Sequence, residues 1–424
     1  MESFIFAAMD TDLQSHNSPF ASVRIKEFRY YISQRFFFIM GMRMVTTLVL
    51  WKMYLLTDDP LLIAMVGLSE AIPAISLALY SGHVVDKSDK RSLLLLSIVL
   101  YLLCVVGLLF ITRPGVEHDL GKRFVQYGIY LIIFCTGIIR SFTGPSASSI
   151  LAQLVPKDVL PNAVTWSSTT WLTASVLGHG SAGLLVAYAG YTVSFLIIIG
   201  YLMIAAFSIW RIKPKPNLHV NTEQKTWESV KEGLRYVFAT KELLGAFTLD
   251  MLAVLFGGVT AIIPFFAGKI LHVGSIGFGW LNAAADIGSM AVILALTFYP
   301  LRRKQGLILL YVVAGYGLCI ITFGLSKIYW LSFVALLVSG AMDGISVVVR
   351  GTILQLKTPD HMRGRVSSVN SMFINSSNEI GSVESGVAAK LMGIVPSVIF
   401  GGSMTLLVVL AMWFKAPKLR KFEY

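Results

Sequence analysis

The stretch SSNEIGSVESG, residues 376–386, places two glutamates, Glu379 and Glu384, near the middle of a segment (366–391) that otherwise reads as a membrane-crossing helix. Spanning the hydrocarbon core takes about 20 mostly apolar residues. A charge facing lipid at mid-bilayer costs about 2.5–3.5 kcal/mol even on the lenient insertion scale. Two acids in one span therefore demand a polar interior supplied by the rest of the chain. Five residues apart on a helix, they point about 140° away from each other, so they are two separate sites. Glu379 is the candidate for a central cavity, and Glu384 for an outer gate or a packed interface.

The composition supplies such an interior only inside a membrane. The 424 residues are 55% hydrophobic and 14% charged, whereas ordinary soluble domains carry roughly 25% charged residues. A water-soluble globule is excluded, and the lipid bilayer is the expected surrounding. Twelve segments are long and apolar enough to cross it: 31–56, 60–82, 92–112, 124–147, 163–188, 191–210, 243–268, 276–299, 307–325, 329–350, 366–391 and 394–414. The chain thus divides into a tail (1–30), a six-helix bundle (31–210), a linker (211–242), a second six-helix bundle (243–414) and a tail (415–424). In the linker, Trp227, Val230, Leu234, Val237 and Phe238 recur at helical spacing, which predicts a surface-lying amphipathic helix. The first thirty residues lack a basic-then-apolar leader, so no signal peptide is expected. Cys104, Cys135 and Cys319 lie in apolar runs without metal-ligand spacing; no disulfide framework, metal or cofactor is expected.

The net charge of +12 raises the question of a nucleic-acid partner. Of the 35 lysines and arginines, 24 fall on the side holding the termini and linker, five on the other side and six within spans. That bias places both termini in the cytoplasm, and it spreads the charge over many short segments. No nucleic-acid partner is expected. Segments three, six, nine and twelve contain no charged residue and read as lipid-facing struts. The others carry Arg43 (segment one), Glu70 (two), Arg140 (four), Asp250 (seven), Asp286 (eight), Asp343 and Arg350 (ten), and Glu379 and Glu384 (eleven); segment five has His179. Arg35 and Lys52 sit near the ends of segment one and are expected to snorkel, without a functional role.

An internal repeat joins the two bundles. At an ungapped offset of 203 residues, Pro156 matches Pro359, Gly178 matches Gly381, Gly183 matches Gly386 and Gly190 matches Gly393. Parallel repeats with a site between them are a transporter design. The shared glycines are expected to serve close helix packing.

The loop after segment two, GHVVDKSDKR (82–91), resembles the signature loop of the major facilitator superfamily: Gly82, Asp86, Lys87, Lys90 and Arg91 fit, and Asp89 stands where the signature has glycine. The resemblance runs from about residue 25 to 415. ILAQLVPKDVLPNAV (150–164), RGTILQLKTPDHMRGRV (350–366) and SNEIGSVESG resemble the branch of enterobactin-exporter-like and drug-efflux permeases. The resemblance implies an all-α membrane protein with twelve transmembrane helices in two pseudo-symmetric six-helix bundles. It implies a cavity lined by segments one, four, seven and ten. It also implies a cytoplasmic gate of Gly82, Asp86, Arg91, Arg363 and Arg365, with Asp86 near the start of segment eleven. A carboxylate is favoured at a helix N-terminus and beside arginine.

Seven residues form the expected substrate- and proton-binding set: Arg43, Arg140, Asp343, Glu379, Glu384, Glu70 and Asp286. Arg140 and Asp343 stand at the 203-residue offset, either as a functional pair across the pseudo-twofold axis or as two separately neutralised charges. Asp343 and Arg350, seven residues apart, share a helical face and can pair with each other. Arg43 is expected as counter-charge to a carboxylate, and Glu70 and Asp286 as gating or packing groups. Asp250 is near enough to the end of its span for solvation alone to explain it, and His179 reads as a hydrogen-bonder before a proton relay. No G-x-S-x-G, H-E-x-x-H or Walker-type motif is present, so neither enzyme chemistry nor nucleotide-driven pumping is expected. The expected activity is export of a small organic molecule, drug-like or siderophore-like, in exchange for protons. The expected setting is a monomer in a bacterial-type inner membrane. Uptake or facilitated diffusion of a metabolite is the alternative within transport. A non-transporting sensor or scaffold is the rival outside it, disfavoured because no further soluble domain is present to carry a signal.

Overall fold

The computed structural model describes residues 19–215, 226–299, 301, 303–359 and 362–423. Among them the chain is helical, without strands. Local chemistry sets the helix ends. α1 (Lys26–Thr57) stops at Asp58 in the left-handed region (φ 50°). The Asp59 carboxylate then accepts the Leu61 N–H at 2.9 Å, and Pro60 opens α2 (Pro60–Lys87), the arrangement a helix start favours. Asp89 does the same for α3 (Lys90–Ile111), accepting the N–H groups of Arg91 and Ser92 at 3.3 and 3.1 Å. The residue that departs from the signature loop is therefore a helix cap.

α4 (Lys122–Leu154) and α5 (Leu160–Trp210) complete the first half. α5 is continuous in hydrogen bonding across 51 residues but is broken into two arms by Gly190 (φ 73°). The second half comprises α7 (Lys241–Gly257), α8 (Gly274–Phe298), α9 (Gln305–Leu325), α10 (Tyr329–Lys357), α11 (Arg363–Met392) and α12 (Ile394–Lys415), preceded in the linker by α6 (Thr226–Ala239). Gly393, the repeat partner of Gly190, separates α11 from α12 with φ 93°. The matched glycines thus supply the one backbone conformation that turns the chain between paired helices in each half.

Nine helices among the described residues are long and apolar enough to cross a membrane, α5 being counted once for its two arms. α7 and α11 are outside that set for different reasons. α11 carries a polar face. α7 ends at Gly257, and the chain regains helix only at Ile263–Phe265 and a π turn, Phe266–Ile270. The continuous segment 243–268 expected from hydropathy is therefore interrupted. The freed carbonyls find side-chain donors: Tyr316 Oη donates to Gly257 O at 2.8 Å and Ser385 Oγ to Gly258 O at 2.5 Å. Non-helical backbone at membrane depth persists only when satisfied in this way.

Corresponding helices pack alike in the two halves: α1 along the first arm of α5 as α7 along α11, and α2 along α4 as α8 along α10. Large exposed apolar side chains stud α3 (Leu96, Leu103, Phe110), the second arm of α5 (Leu196, Phe207), α9 (Tyr311, Leu318) and α12 (Leu407, Phe414), the outer struts. The halves meet along two seams, α5 against α8 and α2 against α11, and the repeat glycines lie in them. A Cβ at Gly183 would stand 2.4 Å from Ser275 O on α8. One at its partner Gly386 would stand 3.0 Å from Pro60 O on α2. The other matched pair packs within each half. Gly178 lies against Met40 O of α1 and Gly381 against Leu255 O of α7, each 2.8 Å from where a Cβ would stand.

The amphipathic helix of the linker is seated differently from the expectation. Val237 of α6 is fully buried, Gly233 abuts the backbone of Arg365, and Tyr236 Oη donates to Lys357 O at 2.5 Å. Val237, Gly233 and Tyr236 thus seat this helix on the second half, where α10 ends and α11 begins, while Phe238 stays exposed. The side chains of its first turn, Trp227 and Val230 included, lie outside the described residues.

Candidate functional site

The polar centre is a two-lobed cleft, its first lobe between the halves and its second within the first half. The first lobe encloses about 550 Å³ between α2, α4 and α11, from Glu70, Arg140 and Glu379 at mid-depth to Ser81, Ser148 and Ser367 near the ends that face the termini. Along α11 the wall is polar, with Ser368, Ser371, Asn375 and Glu379 recurring every three to four residues, one stripe of a helix. The second lobe, about 530 Å³ between α1, α4 and α5, shares Arg140, Gly144 and Ser148 with the first.

At the inner end Arg140 Nη1 meets Glu70 Oε1 at 2.8 Å. Glu379 faces the same lobe from the other half; among the described residues it has no ion-pair partner. Its carboxylate reaches α2 where Gly67 makes room, because a Cβ there would be 2.8 Å from Glu379 Oε2. Two carboxylates from opposite halves therefore share the neighbourhood of one guanidinium. With both ionised the cluster carries one uncompensated negative charge, which a proton or a cationic group can balance.

The other expected residues form two further groups. On the α5 and α8 seam, Ser175 Oγ donates to Asp286 Oδ2 at 2.5 Å, and His179 Nε2 lies 3.9 Å from the same oxygen. His179 is a hydrogen-bonded residue, its Nδ1 2.7 Å from Thr47 Oγ1. Arg43 stands near this seam with its guanidinium 4.9 Å over the Trp171 ring and its Nε buried without a hydrogen-bond partner. In the second half Arg350 Nη1 meets Asp250 Oδ2 at 2.5 Å and its Nε donates to Ser346 Oγ at 3.2 Å.

Several expectations change. Arg140 pairs with Glu70 on the adjacent helix, and Asp343 is outside the cleft lining, beside Asp250 and Tyr316. Arg350 pairs with Asp250 on α7 rather than with Asp343, since seven residues set Asp343 and Arg350 about 10 Å apart along their helix. Solvation does not explain Asp250: both it and Arg350 are only 5% exposed. Arg35 does not simply snorkel; its Nε donates to Ser167 O at 3.0 Å and it lines the second lobe. Lys52 is paired with Glu117 at 3.0 Å. Glu384 is half-buried and outside the cleft lining.

Of the expected gate residues, Arg91 Nη2 donates to Trp210 O at 2.6 Å, closing the end of α5 within its own half. Arg365 pairs with Glu232 on α6, and Arg363 is exposed at the start of α11. Gly82 and Asp86 fall on α2, but their side-chain surroundings lie outside the described residues. Sequence reasoning missed Arg35, Trp171 and Gly67. For Arg35 a signal existed: Tyr31, Arg35, Phe38 and Met42 recur at helical spacing on one face of α1. Among the described residues no group of three or more His, Cys, Asp or Glu is placed to hold a metal ion.

Residues 17–424 match the family described as transmembrane secretion effector. The MFS-type transporter YfmI of Bacillus subtilis is 23% identical over 276 residues, covering 62% of this chain and 68% of that protein. The enterobactin exporter EntS of Escherichia coli is 25% identical over 300 residues, 70% of each chain. Among solved structures, a D-xylose-proton symporter superposes with a TM-score of 0.73 at 14% identity, covering 96% of this chain and all of that one. The nucleoside transporter NupG superposes with a TM-score of 0.71 at 14% identity, covering 94% of this chain and all of that one. These structures share the fold: two helical bundles with the cleft between them. A family match spanning nearly the whole chain, with a polar cleft between two repeats, makes this a transporter rather than an enzyme, and the chain belongs to the transmembrane secretion effector family of the major facilitator superfamily.

Proposed function

We propose that the protein exports a small organic molecule from the cytoplasm in exchange for protons, by alternating access of the cleft to the two sides of a bacterial inner membrane. The observation that carries this reading is the cluster at the inner end of the cleft, where Arg140 is bound to Glu70 and Glu379 faces it from the other half. A carboxylate beside a cavity exchanges protons with whichever side the cavity faces, and a neighbouring arginine biases it towards release. Rocking of the halves changes which carboxylate Arg140 serves, so proton binding and cavity orientation become linked. Export is supported by similarity to EntS, an exporter.

The lysine and arginine bias supports twelve crossings with both termini in the cytoplasm. In that orientation the cleft opens inwards. The far side is shut by the two glycine seams, by Trp51 stacked on Phe278 at 5.4 Å, and by ion pairs joining Asp58 to Lys269 and Asp59 to Lys390. This is the conformation that takes up cytoplasmic substrate.

The test is reconstitution into liposomes holding a pH-sensitive dye, followed by a screen of organic solutes. Proton movement driven by at least one solute, absent from empty liposomes, is expected; solute flux without proton movement contradicts the exchange.

A further inference from the structure

The two lobes of the cleft differ in charge. The first is lined by Glu70 and Glu379 around Arg140. The second has Arg35 from α1 and Arg140 from α4 as its charged lining, and α5 contributes Ser167, Ser168 and Trp171 but no acid. Arg35 commits Nε to the Ser167 carbonyl, and among the described residues it has no carboxylate partner. Arg140 commits Nη1 to Glu70. Behind the wall, Arg43 adds a third guanidinium over Trp171, with a buried Nε that lacks any hydrogen-bond partner.

Arg35, without a carboxylate partner among the described residues, and the arm of Arg140 not spent on Glu70 present donors in the fork geometry that carboxylates and sulfonates match. The remaining walls mix the polar side chains of Gln34, Thr143 and Ser148 with the flat rings of Tyr31, Phe38 and Trp171. Such faces stack on planar rings. A cationic drug placed there would set its charge against Arg35 and Arg140.

We infer that the lobe between α1, α4 and α5 is an anion-binding subsite, and that the exported molecules are planar or aromatic organic acids whose carboxylate, sulfonate or phenolate lies between Arg35 and Arg140. This inference rests on the export reading above and names the substrate class of that same cleft. The acid group occupies the second lobe while Glu70 and Glu379 remain free to handle protons in the first.

Three isosteric probes test it with the full chain purified in detergent: 2-naphthoate, 2-naphthamide and 2-naphthylmethylammonium, by equilibrium dialysis. Naphthoate is expected to bind at least about tenfold more tightly than the other two, the effect of about one charge-assisted pair. Arg35→Gln is expected to remove most of that preference and Arg35→Lys to retain part of it, with thermal melts reporting folding. Should Arg35→Gln fail to fold, Ser168→Asp, which sets a carboxylate into the lobe, is expected to abolish the preference. Equal binding of the three probes overturns the inference, as does a preference for the ammonium, absence of naphthoate binding up to millimolar concentration, or an unchanged preference in the folded variants. The export reading fails separately. Selective naphthoate binding without naphthoate-driven proton movement in liposomes contradicts proton exchange and leaves the subsite standing. Proton movement driven only by ammonium solutes contradicts the subsite and leaves the exchange.

Discussion

The Lys390 ammonium stands 2.8 Å from the Asp59 carboxylate, and the two residues belong to opposite halves of the protein. Asp59 also caps α2 through the Leu61 N–H, so one carboxylate both starts a helix and ties the bundles together. Lys269 repeats the tie at Asp58, 2.7 Å away. Both pairs are partly exposed, and such pairs contribute about 0–1 kcal/mol each. Lys390→Ala is therefore expected to shift the ratio of outward-open to inward-open molecules by about two- to fivefold, and the double variant with Lys269→Ala by more. Spin-label distances between the loops at 112–121 and 326–328 report the shift; unchanged distributions in the double variant would remove these pairs from the gate.

The same contact sets a pH limit. Burial pushes the Asp59 carboxyl up, but the Lys390 ammonium and the backbone N–H of Leu61 outweigh it and hold the group below its usual value. In the outward-open form, with Lys390 withdrawn, its value returns towards about 3.9. A group lowered in the closed form stabilises closure above the open-form value and loses that effect as pH falls through the closed-form value. Outward closure is thus expected to hold from pH 7 down to about pH 5 and to loosen only below about pH 4. Loosening already at pH 6 in the distance measurement would mean that another group controls it.

Gly183 admits α8 to backbone contact, with Ser275 O 2.4 Å and Gly279 Cα 3.1 Å from the place of a Cβ. Neither neighbour is a flexible side-chain end. Gly183→Ala is expected to disfavour the closed seam by about 1–3 kcal/mol, the range for overpacking. Cysteine labelling of the outward face should rise while expression is maintained. Gly190→Ala fails by a different route, because its φ of 73° strains any residue with a Cβ.

Arg350 and Asp250 form the most enclosed ion pair among the described residues of the second half. Breaking such a pair from one side costs about 3–5 kcal/mol, whereas replacing both partners with uncharged residues costs far less. Arg350→Met is therefore expected to lower the melting temperature strongly, and Arg350→Met with Asp250→Asn to recover most of the loss. Equal melting of both variants would show that the pair's charge is not what the second half depends on.

Much of this architecture was legible in the sequence because it follows from one-dimensional rules. Two acids in SSNEIGSVESG required a polar interior, and that interior is the cleft that Glu379 lines. The 203-residue offset of four matched positions marked two like halves, and each glycine pair turned out to do the same job twice. What escaped depends on direction around a helix and on tertiary partners. The offset placed Arg140 and Asp343 at equivalent heights but did not say which way they face; Arg140 turns to Glu70, and Asp343 stands beside Asp250 and Tyr316. The interruption of α7 is hidden from hydropathy, since an apolar run reads alike whether or not its hydrogen bonds continue. It became visible only through the donors, Tyr316 and Ser385, that satisfy it. The nearness of Arg35 to a helix end masks its place in the second lobe, although its face also carries Tyr31 and Phe38.

Glu379→Gln bears most directly on the central claim, that a carboxylate in the cleft links proton movement to transport. The amide keeps the shape and the contact at Gly67 but cannot take or release a proton. In liposomes with an imposed pH gradient, the variant is expected to exchange labelled substrate across the membrane at near wild-type rate while losing accumulation driven by the gradient. Gradient-driven accumulation at the wild-type level in Glu379→Gln would contradict the account.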